Sequence, residues 1–362
     1  MNLPEFLRPE ERLAFRLQAL YRAYGYSRFR MNKFEEYDFY VRSKAFLVSE
    51  SIITFTDLNG KLMALKPDVT LSIVRSTQPG EARKVYYYEN VYRPARGTRT
   101  YREIPQVGLE RIGDVDAYAV SEVLLLAERS LAEIAPRHAL NLSHLGILTE
   151  LIRRAGFPEE SQAAAFALVG DKNTDGLAGL AAADGIDPER VKPLLAVLGA
   201  SGEPEETLDR LSALYPDAEW QALTGTFARV VRTLPQGSVR VDLSVTGDRN
   251  FYNGIVFHGY AEGVPDRVLS GGQYDKLMQT FGKKSGALGF AVYLDRLDRL
   301  DAPAENYRVD AVVLYDGDTD PAAVAEAMRG LTEQGKRAVA ARSLPTDLEW
   351  GEVIRLGKGE ER

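Results

Sequence analysis

The sequence predicts an α+β fold in which helices flank an antiparallel sheet, with a helical insertion and a truncated C-terminal α/β unit. Three observations support this prediction. Short runs of β-branched and aromatic residues, separated by turn signals, fill roughly the first 113 residues and return after about residue 235. Between them, from about Leu145 to Leu234, Ala, Leu and Glu dominate and strand signals vanish. After Ala302-Pro303-Ala304 the chain begins a βαβ unit.

The length of 362 residues exceeds the roughly 250 to 300 at which a single core usually stops growing, so several domains are expected. The shifts in composition place a core at residues 1–144 and 235–304 and an insertion at 145–234. The remainder, 305–362, is short for an independent core and is interpreted as an α/β remnant.

Composition argues against several kinds of function. The net charge of −7 and the isoelectric point near 5.3 provide no global field to attract a polyanion such as tRNA. The chain has no cysteine and three scattered histidines, so disulfides, thiolate chemistry, metal sites and other cofactors are not expected. It has neither a signal-like N-terminus nor a run of about 18 apolar residues, which predicts a cytoplasmic protein without a membrane partner.

Local patterns predict the N-terminal elements. Apolar residues spaced by three and four predict a helix over Pro9–Tyr24, which Gly25 ends as a C-cap. Extended chain is expected from Tyr26 to Phe34, and a tyrosine-rich connector leads from there to Tyr40.

A hairpin and a short helix follow. Ile52–Thr56 and Lys61–Leu65 alternate apolar and polar residues around Asn59-Gly60, a dipeptide that accepts positive φ at both turn positions. Behind it, Pro67 starts a helix that is expected to run to about Ser76. Asp68 and Thr70 can cap this helix; alternatively, an acid and a hydroxyl at the rim of a sheet can bind an ammonium group.

The hairpin at Lys84–Gly113 is the centre of the chain. Its β-branched and aromatic residues predict two antiparallel strands around a basic loop. Gln106 and Glu110 lie four apart on the second strand and therefore on one face, which could hold an amino acid. Alternatively the hairpin is a solvated edge, since antiparallel sheets often keep one face in water. The basic residues in and beside the loop are Arg93, Arg96, Arg99 and Arg102.

The later segments complete the sheet. Residues 114–134 have one apolar side and predict a helix that packs across it. Paired glycines, Gly271 and Gly272, are expected at a strand-to-helix turn, where they either make the turn or let the backbone approach a ligand. Strands are expected at 239–243, 251–260, 267–269, 309–315 and 337–341, a buried strand that passes into a helix at 286–296, and a helix at 321–333.

Five blocks resemble, in order, the class II aminoacyl-tRNA synthetases and histidyl-tRNA synthetase in particular. The resemblance spans roughly Glu10 to Leu300 and implies a class II synthetase-like core. The blocks are FTDLNGKLMALKPDVT at 55–70, REIPQVGLERIG at 102–113, FYNGIVFHGY at 251–260, SGGQYDKL at 270–277 and GFAVYLDRL at 289–297.

The resemblance implies a pocket for histidine. In it, Asp68 and Thr70 hold the α-ammonium, Gln106 and Glu110 help to fix the ligand and its imidazole, and two tyrosines line the ring. An imidazole needs one acceptor and one donor, which these side chains offer. The implied histidine-binding residues are Asp68, Thr70, Gln106, Glu110, Tyr252 and Tyr274, and Arg93, Gly271 and Gly272 are further candidates for ligand or partner contact.

The chain departs from the synthetase pattern on the nucleotide side. Gly247 stands where the family has an arginine that contacts the carboxylate and the α-phosphate, and such a cation is typically worth several kcal/mol of barrier. Arg249, a candidate substitute, lies two residues away. Ala95 replaces the glutamate that should hold adenine, Tyr293 replaces a glycine where adenine should lie, and Gln273 replaces an arginine. The anticodon-binding domain is reduced to residues 307–362.

The chain keeps the residues of the amino acid pocket and lacks those that bind the nucleotide. In this it is similar to the synthetase paralogues that serve as regulatory subunits of ATP phosphoribosyltransferase. This resemblance implies a non-catalytic chain that pairs with a short catalytic subunit in the first step of histidine biosynthesis and confers feedback inhibition by histidine. It also implies synthetase-like dimers within a hetero-octamer of four chains of each kind, and no tRNA partner. The loop arginines then either contact the catalytic subunit or only solvate the loop.

Two alternatives stay open. The chain could be an active histidyl-tRNA synthetase, which pyrophosphate exchange with histidine would reveal. It could instead be an orphan paralogue that activates another small molecule, an interpretation favoured only if histidine fails to bind.

Overall fold

The structure is a computed structural model that describes residues 7–42, 52–95, 100–198, 202–249, 251–297, 308–346 and 348–356. The chain divides into two compact units, Met1–Leu300 and Asp301–Arg362. The finer division of the first unit into a core and an insertion stays a prediction.

Helices and strands alternate along the described residues. The helices are α1 Pro9–Ala23, α2 Tyr37–Arg42, α3 Thr70–Ser76, α4 Ala117–Ile134, α5 Leu145–Ala155, α6 Glu159–Gly170, α7 Thr174–Ala183, α8 Pro188–Leu198, α9 Pro204–Ala213, α10 Ala218–Val231, α11 Asp275–Thr280 and α12 Pro321–Glu333. The strands are β1 Ser27–Arg28, β2 Phe34–Glu36, β3 Thr54–Thr56, β4 Leu62–Leu65, β5 Arg83–Pro94, β6 Tyr101–Gly113, β7 His138–His144, β8 Val239–Val241, β9 Ile255–Ala261, β10 Leu269–Gln273, β11 Gly286–Tyr293, β12 Arg308–Leu314, β13 Ala338–Ala341 and β14 Glu349–Arg355.

An eight-stranded sheet with the order β1-β5-β6-β11-β10-β9-β7-β8 forms the centre of the first unit. The strands from β5 to β7 pair antiparallel, and a parallel strand closes each edge. This confirms the predicted α+β fold with an antiparallel sheet. Because β6 lies between β5 and β11, the central hairpin is not an edge, and the solvated-edge alternative is wrong for Gln106 and Glu110, which are both buried.

Helices cover both faces of this sheet. On one face, α1 and α4 pack their apolar sides, including Leu17, Tyr21 and Leu124, into a core that continues into the helices after β7. On the other face, α3 and α11 bury Leu71, Ile73 and their neighbours against β5 and β11. This second face also carries the candidate site, so α3 and α11 are the helices that position it.

The segment predicted to be an insertion is helical. Within the described residues from Leu145 to Val231 the regular elements are the six helices α5 to α10, and Gly202 adds an isolated bridge to Val241. Their apolar sides share one core with α4 and the sheet. The buried Trp220 of α10 is typical, since its indole N–H donates to the Leu211 carbonyl at 2.7 Å.

The predicted hairpin β3–β4 is confirmed, and with β2 it makes a separate three-stranded sheet. Two local details differ from the predictions. The tyrosine-rich connector contains the helix α2. The turn of the hairpin uses one positive φ, at Gly60, because the Asp57 carboxylate accepts N–H groups of Asn59 and Lys61, each at 2.8 Å, and so closes a longer loop.

The paired glycines also differ from their prediction. Gly271 and Gly272 lie inside β10, not at a strand-to-helix turn, because β9 and β11 pair with this segment on both sides. The helix start is real but begins later, with Asp275.

The second unit contains β12, α12 and β13 close to the predicted positions, and these form the expected parallel βαβ unit. A third parallel strand, β14, was not predicted and completes the order β13-β12-β14. Of the helices in the described parts of both units, none combines the length and the apolar character that crossing a membrane requires.

Candidate functional site

A cavity lies on the sheet face covered by α3 and α11, and its lining combines polar, charged and aromatic side chains. The structure brings all the predicted histidine-binding residues together here. The lining includes Asp68, Thr70, Gln106, Glu110, Tyr252 and Tyr274, and also Arg93.

The alternation of β6 places Gln106 and Glu110 on the cavity face. Each stands opposite a residue of β11, Gln106 opposite Tyr293 and Glu110 opposite Gly289. A Cβ atom at position 289 would lie 1.7 Å from Glu110 Oε2. The carboxyl group therefore occupies the space that a side chain on β11 would fill.

Two hydroxyl groups hold the Glu110 carboxylate from the helices above. Thr70 Oγ1 donates to Oε1 at 2.7 Å, and Tyr274 Oη donates to Oε2 at 2.6 Å. Burial raises the pKa of Glu110 to about 8, against the opposing effect of these two hydrogen bonds. Glu110 is thus a fixed acceptor whose charge changes near neutral pH, and a cation or an N–H group in the cavity would stabilise its ionised form.

Asp68 caps a helix and also lines the cavity. Its Oδ1 accepts the Leu71 N–H at 2.9 Å, so it caps α3 as predicted. It also lines the cavity, where burial raises its pKa and the charge of Arg93 opposes that shift. Thr70 is not a cap, since it is the first residue of α3 and its hydroxyl bonds Glu110. Whether both bind an ammonium group stays a prediction.

Arg93 reaches the cavity from the end of β5. Its Nε donates to the Pro67 carbonyl at 3.0 Å, which fixes the guanidinium beside the start of α3. The other charges lining the cavity are acidic and belong to Asp68, Glu110 and Asp248. No group of acidic and histidine residues in the described part of the chain is arranged to hold a metal ion.

Aromatic rings form the wall of the cavity. The ring of Phe251 lies 4.8 Å from that of Tyr252 and 5.4 Å from that of Tyr274, measured between centroids. Gly272 lies under this wall, since a Cβ there would meet Tyr252 Cδ1 at 2.6 Å. Neither Gly272 nor Gly271 lines the cavity, so close packing inside the sheet accounts for both glycines without a ligand.

The nucleotide side of the cavity, defined here by Gly247, Arg249 and Tyr293, is built differently. Gly247 has φ +57°, and a Cβ there would meet Val256 Cγ1 at 2.9 Å, so this backbone disfavours any side chain. Arg249 is no substitute in this structure, because its guanidinium stacks 3.6 Å from the ring centroid of Phe166 on α6 and does not line the cavity. Tyr293 does line it.

The end of β11 is held by charged groups outside the cavity. Arg296 lies 4.5 Å from the ring centroid of Tyr293, and Arg102 Nη2 bonds Asp295 Oδ2 at 2.5 Å. Arg102 is thus engaged within the chain. Arg96 and Arg99, the other arginines of the loop, lie outside the described residues.

Sequence reasoning missed several residues that line the cavity. Tyr87 shares the face of β5 that carries Arg93, so the alternation along the run Tyr86-Tyr87-Tyr88 was a usable signal. Asp248 and Ser270 also line it, and their residue types alone gave no indication.

The fold and the cavity together define a protein of the class II aminoacyl-tRNA synthetase type. A family model described as histidyl-tRNA synthetase matches residues 2–297, and the chain therefore belongs to the histidyl-tRNA synthetase family. This confirms the resemblance found in the sequence.

Relatives in this family carry two different names. The ATP phosphoribosyltransferase regulatory subunit of Symbiobacterium thermophilum is 30% identical over 350 residues, which are 92% of this chain and 87% of that protein. The histidine–tRNA ligase of Methanocaldococcus jannaschii is 25% identical over 316 residues, 84% of this chain and 76% of that protein.

A solved structure extends the likeness over the whole chain. It is described as an ATP phosphoribosyltransferase regulatory subunit/histidyl-tRNA synthetase from Bacillus halodurans. The TM-score is 0.81 at 19% identity, with 99% of this chain and 100% of that chain covered. At this identity the comparison shows a shared fold.

Proposed function

We propose that this chain is the non-catalytic regulatory subunit of a cytoplasmic ATP phosphoribosyltransferase, and that it binds histidine in the cavity to mediate feedback inhibition. One observation carries the proposal. The cavity gathers every side chain expected to recognise histidine, whereas the position of the expected catalytic arginine is a left-handed glycine at which a Cβ would crowd Val256 and Tyr252. The name of the Symbiobacterium relative supports the same conclusion.

The chemistry of the lining suits an amino acid. The α-ammonium fits between the carboxylate of Asp68 and the lone pairs of the Thr70 hydroxyl, whose own hydrogen points to Glu110. A ring N–H fits Glu110, and the ligand carboxylate fits the guanidinium of Arg93. The α-ammonium, the carboxylate and the ring N–H of histidine thus each have a partner, without a bound nucleotide.

In the proposed mechanism, histidine inhibits by binding more tightly to an inactive arrangement of the complex. Such an effect requires a coupling free energy between ligand and assembly, typically about 1 to 3 kcal/mol. The proposed assembly joins dimers of this chain to a short catalytic subunit in a hetero-octamer of four chains of each kind, without tRNA.

Reconstitution tests the proposal. This chain and a short phosphoribosyltransferase subunit are co-expressed, purified as a complex, and assayed with ATP and phosphoribosyl pyrophosphate with and without histidine. We expect activity only in the complex and inhibition by histidine. Glu110→Ala should leave the complex active and relieve the inhibition. Inhibition of undiminished sensitivity in Glu110→Ala would place the effector at another site.

An active histidyl-tRNA synthetase is the second candidate. The identity to the Methanocaldococcus ligase and the presence of Arg93 in the cavity favour it. Histidine-dependent exchange of pyrophosphate into ATP by the purified chain distinguishes the two functions. We expect no exchange above background, and sustained exchange would replace the proposed function with synthetase activity.

A further inference from the structure

Lys283, in the loop after α11, carries a buried charge outside the cavity. The residue is only 6% exposed, and it does not line the cavity. Its ammonium group donates to three backbone carbonyls, those of Val74, Arg75 and Thr77. Three acceptors match the three N–H bonds of a protonated lysine. Burial lowers the pKa of Lys283, as expected for a cation whose hydrogen-bond partners are neutral carbonyls.

The three carbonyls lie at the C-terminal end of α3. The helix dipole makes that end negative, and its last carbonyls have no partner within the helix. Lys283 therefore places a charge of favourable sign against this end. A helix of seven residues, such as α3, is not stable by its own hydrogen bonds. The position of α3 on the sheet thus depends on contacts of this kind.

The opposite end of α3 lies at the cavity. Thr70, its first residue, donates its hydroxyl hydrogen to Glu110 Oε1 at 2.7 Å, and Asp68 caps the helix. A helix of seven residues is about 10 Å long, so a tilt that begins at one end displaces the other end. The contact between Lys283 and the C-terminal end therefore affects whether Thr70 reaches Glu110.

Lys283 is also attached to α11. Its backbone N–H donates to the carbonyl of Met278 at 3.0 Å, and Met278 is fully buried. The residue before α11 is Tyr274, which donates its hydroxyl hydrogen to Glu110 Oε2 at 2.6 Å. The two hydroxyl donors of Glu110 thus belong to two segments that the side chain of Lys283 joins. The contacts form a closed ring that starts and ends at the carboxylate.

We propose that Lys283 is a positioning residue of the cavity, whose ammonium group joins the end of α3 to the loop after α11 so that Thr70 and Tyr274 reach the same carboxylate. The inference rests on the proposed function for the identity of the ligand. It deepens that function, because it names a side chain outside the cavity that sets the affinity for histidine.

A chemical exchange of one side chain tests the role of the charge. Because the chain has no cysteine, Lys283→Cys contains a single thiol. Alkylation of the unfolded variant with 2-bromoethylamine gives an S-aminoethyl side chain that closely resembles lysine. Alkylation with 1-bromopropane gives a neutral S-propyl side chain of the same length. Both forms are refolded, and wild type carried through the same treatment is the reference.

Calorimetry on the full chain then measures the affinity for L-histidine. We expect the S-propyl form to bind about 10-fold more weakly than the S-aminoethyl form, the effect of losing a hydrogen bond to a charged group. The S-aminoethyl form should bind like the reference. Equal affinities of the two alkylated forms overturn the inference.

The titration of Glu110 provides a readout without ligand. Burial raises the pKa of Glu110 to about 8, while the hydrogen bonds from Tyr274 and Thr70 lower it and the nearby Asp68 raises it further. If α3 moves in the S-propyl form, these hydrogen bonds weaken, and the titration midpoint should rise by about one pH unit relative to the S-aminoethyl form. Carbon-13 NMR with glutamate labelled at the carboxyl carbon measures the midpoint, and Glu110→Gln identifies the signal. A group that only stabilises the fold would leave the midpoint unchanged, so an unchanged midpoint overturns the inference.

Thr70→Val separates positioning from a direct effect of the charge. An ammonium group that acts on Glu110 only through space shifts the midpoint equally with or without the Thr70 hydroxyl. If Lys283 acts through α3, the difference between the two alkylated forms should fall to about half in the Thr70→Val background, because one of the two positioned hydrogen bonds is absent. An undiminished difference overturns the inference.

Lys284→Met is the matched control, because Lys284 is the neighbouring lysine and is exposed. It should change neither the histidine affinity nor the midpoint of Glu110. If the alkylated forms do not refold, Lys283→Met and wild type, both purified without unfolding, take their places under the same criteria. If wild type does not bind histidine, the proposed function fails, and the titration of Glu110 alone decides the role of Lys283.

Discussion

The two sides of the cavity differ in how their side chains are held. On the amino acid side, Glu110 takes one hydrogen bond from α3 and one from the residue before α11, and Asp68 is fixed by a backbone N–H of α3. On the nucleotide side, Tyr293 and Asp248 line the cavity, and the left-handed Gly247 precedes Asp248. Under the proposed function, histidine recognition and the lost catalysis depend on different segments, so one side could lose its charge while the other kept its geometry.

A side chain added at Gly289, beneath Glu110, should have the largest effect on histidine binding. In Gly289→Ala the new methyl would stand 1.7 Å from Glu110 Oε2, so the carboxyl must leave its place between the two hydroxyls. We expect calorimetry to detect no histidine binding, and the free energy of unfolding to fall by about 1 to 3 kcal/mol, as is typical of overpacking.

Gly225→Ala provides the control for that substitution. Gly225 is exposed on α10, and a Cβ there meets no atom within 4 Å. Because alanine favours a helix by roughly 1 kcal/mol over glycine, this variant should be slightly stabilised and should bind histidine normally. Normal binding by Gly289→Ala would contradict the position assigned to Glu110.

The charge of Glu110 should make the amino acid side sensitive to pH. Its pKa is raised to about 8, so histidine affinity should rise as the pH rises from 6 toward 8 and the carboxylate forms. Glu110→Gln should remove this Glu110-dependent rise and weaken binding by about 1.5 to 3 kcal/mol, the usual contribution of a hydrogen bond to a charged group. Calorimetry at several pH values checks both; an identical pH profile in wild type and mutant would contradict the assignment.

The carboxyl group of Glu110 should also make the free energy of unfolding depend on pH. Because the folded state holds the proton more tightly than the unfolded chain, whose pKa is near 4.5, the contribution of Glu110 is full below pH 4.5 and is lost as the pH rises to about 8. The free energy of unfolding of Glu110→Gln relative to wild type should therefore increase over this interval. Denaturant titrations without ligand measure it.

Sequence patterns predicted the positions set within one segment better than those set by cross-strand register, and the physical reason is locality. Gln106 and Glu110 follow from the period of one strand, and Asp68 from the start of one helix. The place of Tyr87 depends on which residue of β6 stands opposite, and that of Gly272 on two partner strands that enclose β10. Such cross-strand register is not encoded in a short segment, so these positions were missed or misplaced.

Restoring the missing arginine should not restore catalysis. In Gly247→Arg the new residue must adopt φ near +57°, and its Cβ would crowd Val256 and Tyr252. A strained backbone of this kind typically costs about 1 to 3 kcal/mol. We expect a lower melting temperature and no pyrophosphate exchange with histidine.

Gly237→Arg separates strain from crowding. Gly237 also has a positive φ, of +97°, but a Cβ there meets no atom within 4 Å. It should lose less stability than Gly247→Arg. Exchange activity in Gly247→Arg would show that the nucleotide side lacked only a positive charge. The two sides of the cavity would then differ in residue type and not in backbone conformation.

The smallest effect should come from Asp295→Asn, which breaks the ion pair with Arg102 beside the nucleotide side. The Arg102 side chain is 55% exposed, and ion pairs in water contribute only about 0.2 to 1 kcal/mol. We expect a loss of stability in that range, smaller at high salt, and unchanged histidine affinity by calorimetry. The Arg102 strand also carries Gln106 and Glu110, so a clear drop in histidine affinity would show that strain passes along β6 from one side of the cavity to the other. If the two sides are independent, so that the amino acid side can bind histidine while the nucleotide side has lost its catalytic groups, histidine affinity should not drop in Asp295→Asn.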